Sequence, residues 1–196
     1  MMAMFRNERV TIQPQFCIVL AFALLVVPVR WILGWFGAVI FHEVCHYVTI
    51  RLFGVPVYHI CISTLGVNMQ TGEMSTFQEI ICALAGPLGG FILLLLLHKC
   101  PYISLCALGQ SVFNLLPIYP LDGGRAITGI LILLFGNKTG LAIRKIISVF
   151  LSSFLAYVSL IISLRFSLGL APVVLAIYVI IRIVKIPCKE RKLIVQ

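Results

Sequence analysis

The chain has 196 residues, of which 61% are hydrophobic and only 11% charged, with a formal net charge of +9. Soluble domains are roughly 45–50% apolar and about 25% charged, so this composition excludes an ordinary soluble globular protein. A basic surplus of this size could suit nucleic acid, and its placement along the chain decides whether it does.

The apolar residues fall into six blocks, 11–29, 31–50, 80–97, 101–118, 146–164 and 166–181. A membrane-spanning helix needs about 20 such residues (range ~17–25). The fold class expected is therefore an all-α polytopic membrane protein of about six transmembrane helices. The last block is slightly short, and Arg182 and Lys185 can snorkel to extend it. One membrane domain over residues 1–196 is expected.

Taken in order, the first block follows basic Arg6 and Arg9 and lacks a small-residue cleavage site after it, so it reads as a span. The second block opens on Trp31 and Trp35, which suit an interfacial anchor. It contains AVIFHEVCHYVTIRLF, in which three ionisable side chains interrupt an apolar run. The loop 54–78 follows, and its VPVYHICISTLGV segment is β-branched and aromatic, which predicts one or two short strands. Pro56 and Gly66 mark its turns. The third block carries AGPLGG, whose small residues predict close helix packing. The fourth ends in NLLPIYPLDGGR, where Pro117 and Pro120 break the helix before Asp122. The stretch 126–136 is too short to cross alone and is expected at the interface or packed inside. The chain finishes in a basic tail, 187–196, expected on the cytoplasmic side against anionic lipid.

With the N-terminus inside and six crossings, the cytoplasm would hold Arg6, Arg9, Arg51, Arg125, Lys138, Arg144, Lys145, Arg182, Lys185, Lys189, Arg191 and Lys192. Only Arg30, Lys99 and Arg165 would face outward. The positive-inside rule asks for such a split, so membrane orientation accounts for the charge and no nucleic-acid partner is expected. Both termini are then cytoplasmic, as is the strand-forming loop. The seven cysteines include no C-x-x-C pair and lie mostly within spans, which reads as small core hydrophobes rather than a disulfide framework.

His42-Glu43-Val44-Cys45-His46 is an H-E-x-x-H motif. Four residues apart on a helix, the two imidazoles share one face and can grip one zinc ion, with the glutamate in reach of a metal-bound water. The alternative is polar buttressing of a bundle. It is disfavoured because an ionisable group near mid-bilayer costs ~2.5–3.5 kcal/mol and usually serves a function. A catalytic zinc takes three protein ligands. Candidates for the third are His59, His98, Glu73, Glu79 and Asp122, the lone aspartate. The expected topology puts His98 on the opposite face. It puts Asp122 at the cytoplasmic end of the fourth span, while His46 lies about 10 Å from that end of the second. Residue types alone leave Asp122 evenly poised between ligand and helix N-cap. Cys45 points away from the two-histidine face and is expected to pack against a neighbouring helix.

HEVCH on the second span, PLDGGR after the fourth and AGPLGG on the third together resemble the site-2 protease family of intramembrane zinc metalloproteases. The likeness covers residues 30–130 and is greatest to the compact six-span branch that processes sporulation factors. It implies one Zn2+ held by His42, His46 and Asp122, Glu43 as catalytic base, and Asn114 near the substrate. It also implies a membrane-associated protein substrate and a bacterial cytoplasmic membrane. The third-span motif ends in Gly-Gly where relatives often carry Asn. The strand around 57–67 is expected to receive an unwound substrate segment by strand addition. Competing readings are a metal-binding transporter or sensor, and a proteolytically silent member; oligomeric state is left open.

Overall fold

The computed structural model describes residues 9–63 and 66–166. The sixth apolar block beyond Phe166 and the basic tail lie outside the described residues. The chain divides into two compact units, Met1–Leu115 and Leu116–Gln196.

The first unit begins with a strand that the sequence reading did not anticipate, β1 (Arg9–Ile12). Helix α1 (Pro14–Val26) follows, with proline in its first turn, where a missing N–H costs nothing. The expected span 11–29 is thus shortened at its start, because Arg9–Ile12 pairs with a distant strand instead of continuing the helix. None of the α1 side chains is buried, which suits contact with lipid all round. Pro28 then separates it from α2 (Val29–Leu52), the helix bearing the H-E-x-x-H motif.

After α2 the chain turns at Gly54 and forms β2 (Val57–Ser63) and β3 (Gly66–Thr71). The sheet order is β1-β2-β3, with β1 parallel to β2 and β3 antiparallel to it. Both edges of β2 are therefore occupied. Strand addition on Val57–Ser63 is ruled out by this pairing, and the open edge of the hairpin belongs to β3. One face of the sheet closes over the end of α2. There Ile50, Val55, Val57 and Cys82 form a buried cluster against Tyr47, Ile60 and Met69.

Helix α3 (Thr76–Ile92) starts on a capping box. Ser75 Oγ accepts from Gln78 N–H while the Gln78 side chain accepts from Ser75 N–H. Glu79 lies in its first turn, favourably placed against the helix dipole. The helix tightens into a 3-10 turn at Leu93–Leu96, whose Leu93 carbonyl accepts from Ser104 Oγ at 2.7 Å. Helix α4 (Pro101–Asn114) returns and stops before Pro117. Helices α2, α3 and α4 pack against one another, with Ala38, Leu93 and Ala107 at their meeting point. Small residues set the spacing: Gly34 abuts the backbone of Tyr102, and a Cβ there would lie 2.9 Å from it.

The second unit carries the turn 116–121 and α5 (Asp122–Phe166). A straight helix of 45 residues would run about 67 Å, twice a bilayer core. It does not run straight. Gly136 has φ 76° and ψ 168°, a conformation open essentially to glycine alone. Beyond it Gly140 meets the backbone of Leu131 and Ile132, with a Cβ there falling 2.9 Å away. Nine positions apart on one helix, those residues would stand ~13 Å from each other, so 122–135 and 137–166 are two arms folded together. Within the stretch 126–136, Leu131 and Ile132 meet the second arm at Gly140, while Leu133, Leu134 and Phe135 are exposed.

Among the described residues, Val29–Leu52 and Thr76–Leu96 are helical stretches long and apolar enough to cross a membrane, and the apolar stretch Asp122–Arg165 is a third that the reversal at Gly136 divides into two arms. Helices α1 and α4 are shorter than the spans expected of them, so the described residues support a mostly helical membrane protein with a small sheet but not a count of six.

Candidate metal centre

The site in the first unit is built on α2. His42 and His46 are 2% and 7% exposed, on the face turned toward α3 and α4. Their rings meet edge to face with centroids 4.7 Å apart. His42 Nε2 and His46 Nε2 stand 3.1 Å from each other. Two nitrogens each ~2.0–2.1 Å from one tetrahedral zinc would be about 3.3 Å apart, so this separation suits shared coordination.

Hydrogen bonding fixes which nitrogens are available. His46 Nδ1 lies 2.7 Å from the Cys82 carbonyl oxygen on α3. A carbonyl only accepts, so Nδ1 carries the proton and Nε2 carries the lone pair. Such an outer partner also holds the ring in its plane, as it does for metal-ligating histidines generally. Asn114 Nδ2, at the last residue of α4, is 3.2 Å from His42 Nε2. An amide NH2 donates there to the nitrogen's one lone pair, so His42 Nε2 is unprotonated as well. An ion bound at the pair would take both lone pairs, that of His42 in exchange for the Asn114 contact. The residues present therefore fit a zinc centre.

Glu43 is half-buried on α2, one residue round the helix from His42. Cys45 packs on a neighbouring helix, as expected, but that helix is α3, which the histidines also face: its sulfur occupies the space that a Cβ on Gly89 would need. Gly90 makes the same room for Ser111 Oγ on α4. In the second unit, Asp122 is the first residue of α5. The turn before it is anchored from the second arm, where Ser148 Oγ accepts from Tyr119 N–H at 3.1 Å.

The remaining candidate ligands have other surroundings. His59 Nε2 is 3.1 Å from Thr11 Oγ1 across the β1–β2 pair, a satisfied strand residue. Glu73 is exposed after β3, and His98 is exposed in the turn after the 3-10 segment. The Cys82 carbonyl escaped sequence reasoning because any residue type supplies one.

No protein-family model matches the sequence. A zinc metalloprotease of Methanocaldococcus jannaschii is 29% identical over 110 residues, covering 49% of this chain. The chain matches only 32% of that relative's length, about a third of it. The solved site-2 protease from the same organism superposes with a TM-score of 0.64 at 21% identity, covering 89% of this chain and 88% of the other. On that superposition, the chain carries the fold of the site-2 proteases.

Proposed function

We propose that the chain is an intramembrane zinc endopeptidase that hydrolyses a peptide bond in or near a transmembrane segment of a membrane-associated protein. Its 196 residues act as one metalloprotease domain. The observation that carries the reading is the opposed pair of imidazole nitrogens at 3.1 Å, with one ring locked in the ligand tautomer by Cys82. The likeness to a zinc metalloprotease and to a site-2 protease agrees with it. In this reading His42 and His46 hold one Zn2+, and Asp122, a carboxylate of the type that completes catalytic zinc sites, is the third ligand.

A zinc ion bound there supplies Lewis acidity and lowers the pKa of a bound water toward ~7. Glu43 takes the proton released as the water oxygen bonds to the substrate carbonyl carbon. It returns a proton to the amine nitrogen as the C–N bond breaks, giving one carboxyl and one amine end. In this reading the Asn114 amide, which donates to His42 Nε2 when that lone pair is not engaged by a metal, donates to the substrate carbonyl oxygen, where negative charge develops. The low dielectric between packed helices strengthens each of these interactions.

A helical substrate hides its carbonyls in i to i−4 bonds and must unwind to react. The open edge of β3 (Gly66–Thr71) is the place for such a segment to pair. The enzyme sits in a bacterial cytoplasmic membrane with both termini and the sheet on the cytoplasmic side, and the bilayer is its solvent.

Co-expressing the wild type and Glu43→Gln with candidate single-span substrates tests the reading. An immunoblot fragment seen with the wild type and lost with Glu43→Gln, at unchanged zinc content, is expected. Cleavage that survives Glu43→Gln overturns the assigned mechanism.

A further inference from the structure

Glycine inside a helix costs roughly 0.5–1 kcal/mol against alanine, so a helical glycine with no special dihedral calls for a steric reason. Helix α3 has three of them, Gly86, Gly89 and Gly90, and each is pressed on a different group. Gly89 faces Cys45 and Phe41, and Gly90 faces Ser111 and the Ala107 carbonyl. Gly86 alone faces the imidazoles. A Cβ there would lie 2.7 Å from His46 Cε1 and 2.8 Å from His42 Cε1, and would overlap His46 Nε2 outright.

The pairing of the two helices makes the placement specific. Cys82 and Gly86 are four apart on α3, as His42 and His46 are four apart on α2. The Cys82 carbonyl grips His46 from its Nδ1 side. One turn further along, bare backbone at Gly86 covers the side carrying Cε1 and Nε2. A methyl group at that point displaces the ring whose Nε2 is offered to the metal. The neighbours cannot yield easily: Cys82 and Pro87 are fully buried, and His46 is tethered at Nδ1.

We propose that Gly86 is a positioning residue of the metal centre, its missing side chain leaving the space in which both imidazoles converge. The inference rests on the zinc reading above. Its contribution is to make one backbone position of α3 a determinant of metal affinity rather than of helix packing alone.

The test uses the full chain in detergent, titrated with Co2+ and followed by visible d–d absorption and by metal content, alongside thermal melting. Gly86→Ala should weaken Co2+ binding about 10- to 100-fold, as loss of groups that orient metal ligands does, or change the band pattern. Gly89→Ala and Gly90→Ala, with equally tight contacts elsewhere, should lower the melting temperature while leaving the cobalt spectrum and affinity close to wild type. Gly86→Ala binding Co2+ as the wild type does, or Gly89→Ala weakening it as much, overturns the inference. If Gly86→Ala does not fold, Gly86→Ala combined with His46→Ala decides: removing the overlapped ring should restore folding. A double variant that still fails places the need for glycine elsewhere and also overturns it. A wild-type chain that takes up no Co2+ defeats the metal-centre reading itself, and this inference falls with it.

Discussion

The Arg144 guanidinium lies over the Tyr119 ring, 4.2 Å from its centroid. It joins the second arm of α5 to the turn that precedes Asp122, next to the Tyr119–Ser148 hydrogen bond. A cation over an aromatic face is worth about 0.5–2 kcal/mol, depending on how far it is desolvated. Tyr119→Phe keeps the ring and should melt close to wild type in detergent. Tyr119→Leu should lose about 1 kcal/mol. Equal melting temperatures for the two variants would remove the ring contact as an anchor.

Gly136 and Gly109 should respond oppositely to alanine. The φ of 76° at Gly136 sits where a side chain is strained by about 1–3 kcal/mol, so Gly136→Ala should destabilise by that amount. Gly109 is exposed and helical, and a Cβ there meets nothing within 4 Å. Gly109→Ala should stabilise by about 0.5–1 kcal/mol. Chemical or thermal denaturation of both variants measures the contrast.

Gln110 lies on α4 one turn before Asn114, and its Oε1 is buried without a hydrogen-bond partner. An unsatisfied buried acceptor costs about 1–3 kcal/mol. Gln110→Leu fills similar space without that cost and should raise the melting temperature. A lower one would mean that the amide makes a bond on which the helix pair depends.

Metal removal should have two readable effects. A zinc chelator should stop cleavage, and re-addition of Zn2+ should restore it. The stripped protein should also melt lower, since ligand at 100 times its Kd contributes about 2.7 kcal/mol. His42→Ala, His46→Ala and Asp122→Ala should each lose the metal, whereas Glu73→Ala and His59→Ala should retain it. Metal content of the purified variants checks the assignment, and retention in Asp122→Ala would remove the aspartate from it.

Asn114→Asp separates the polar role of Asn114 from its bulk. It replaces an N–H donor by an acceptor of the same shape beside His42. Cleavage should fall by about 10²–10³, the range for losing one oxyanion donor, while zinc content holds. Unchanged turnover would leave Asn114 a packing residue.

Much of the site could be read from residue order. The spacing of His42 and His46 put both rings on one helix face, and their mutual approach follows from that local geometry. Pro117 and Pro120 stopped α4, so that Asp122 begins a new helix. Cys45 packs on a neighbouring helix as expected, but on α3, the helix that the histidines also face. The sheet was only half visible. The hairpin announced itself through β-branched residues, but β1 is four residues long, and its partners in β2 lie about 50 positions away. Nothing local marks such a pairing. The lengths of α1 and α4 were overestimated for a related reason: apolar composition continues past the point where pairing or proline ends the helix.

By itself, the order of residues determined that this is a membrane chain carrying two imidazoles on one helical stripe, because hydrophobic length and a 3.6-residue period are properties of consecutive positions. Folding decided how those imidazoles are used. The tautomer of His46 depends on a carbonyl 36 positions away, and the room for both rings depends on a glycine of another helix. The reversal at Gly136 depends on how two arms meet. Each of these is set by distances between packed backbones, which local periodicity does not encode.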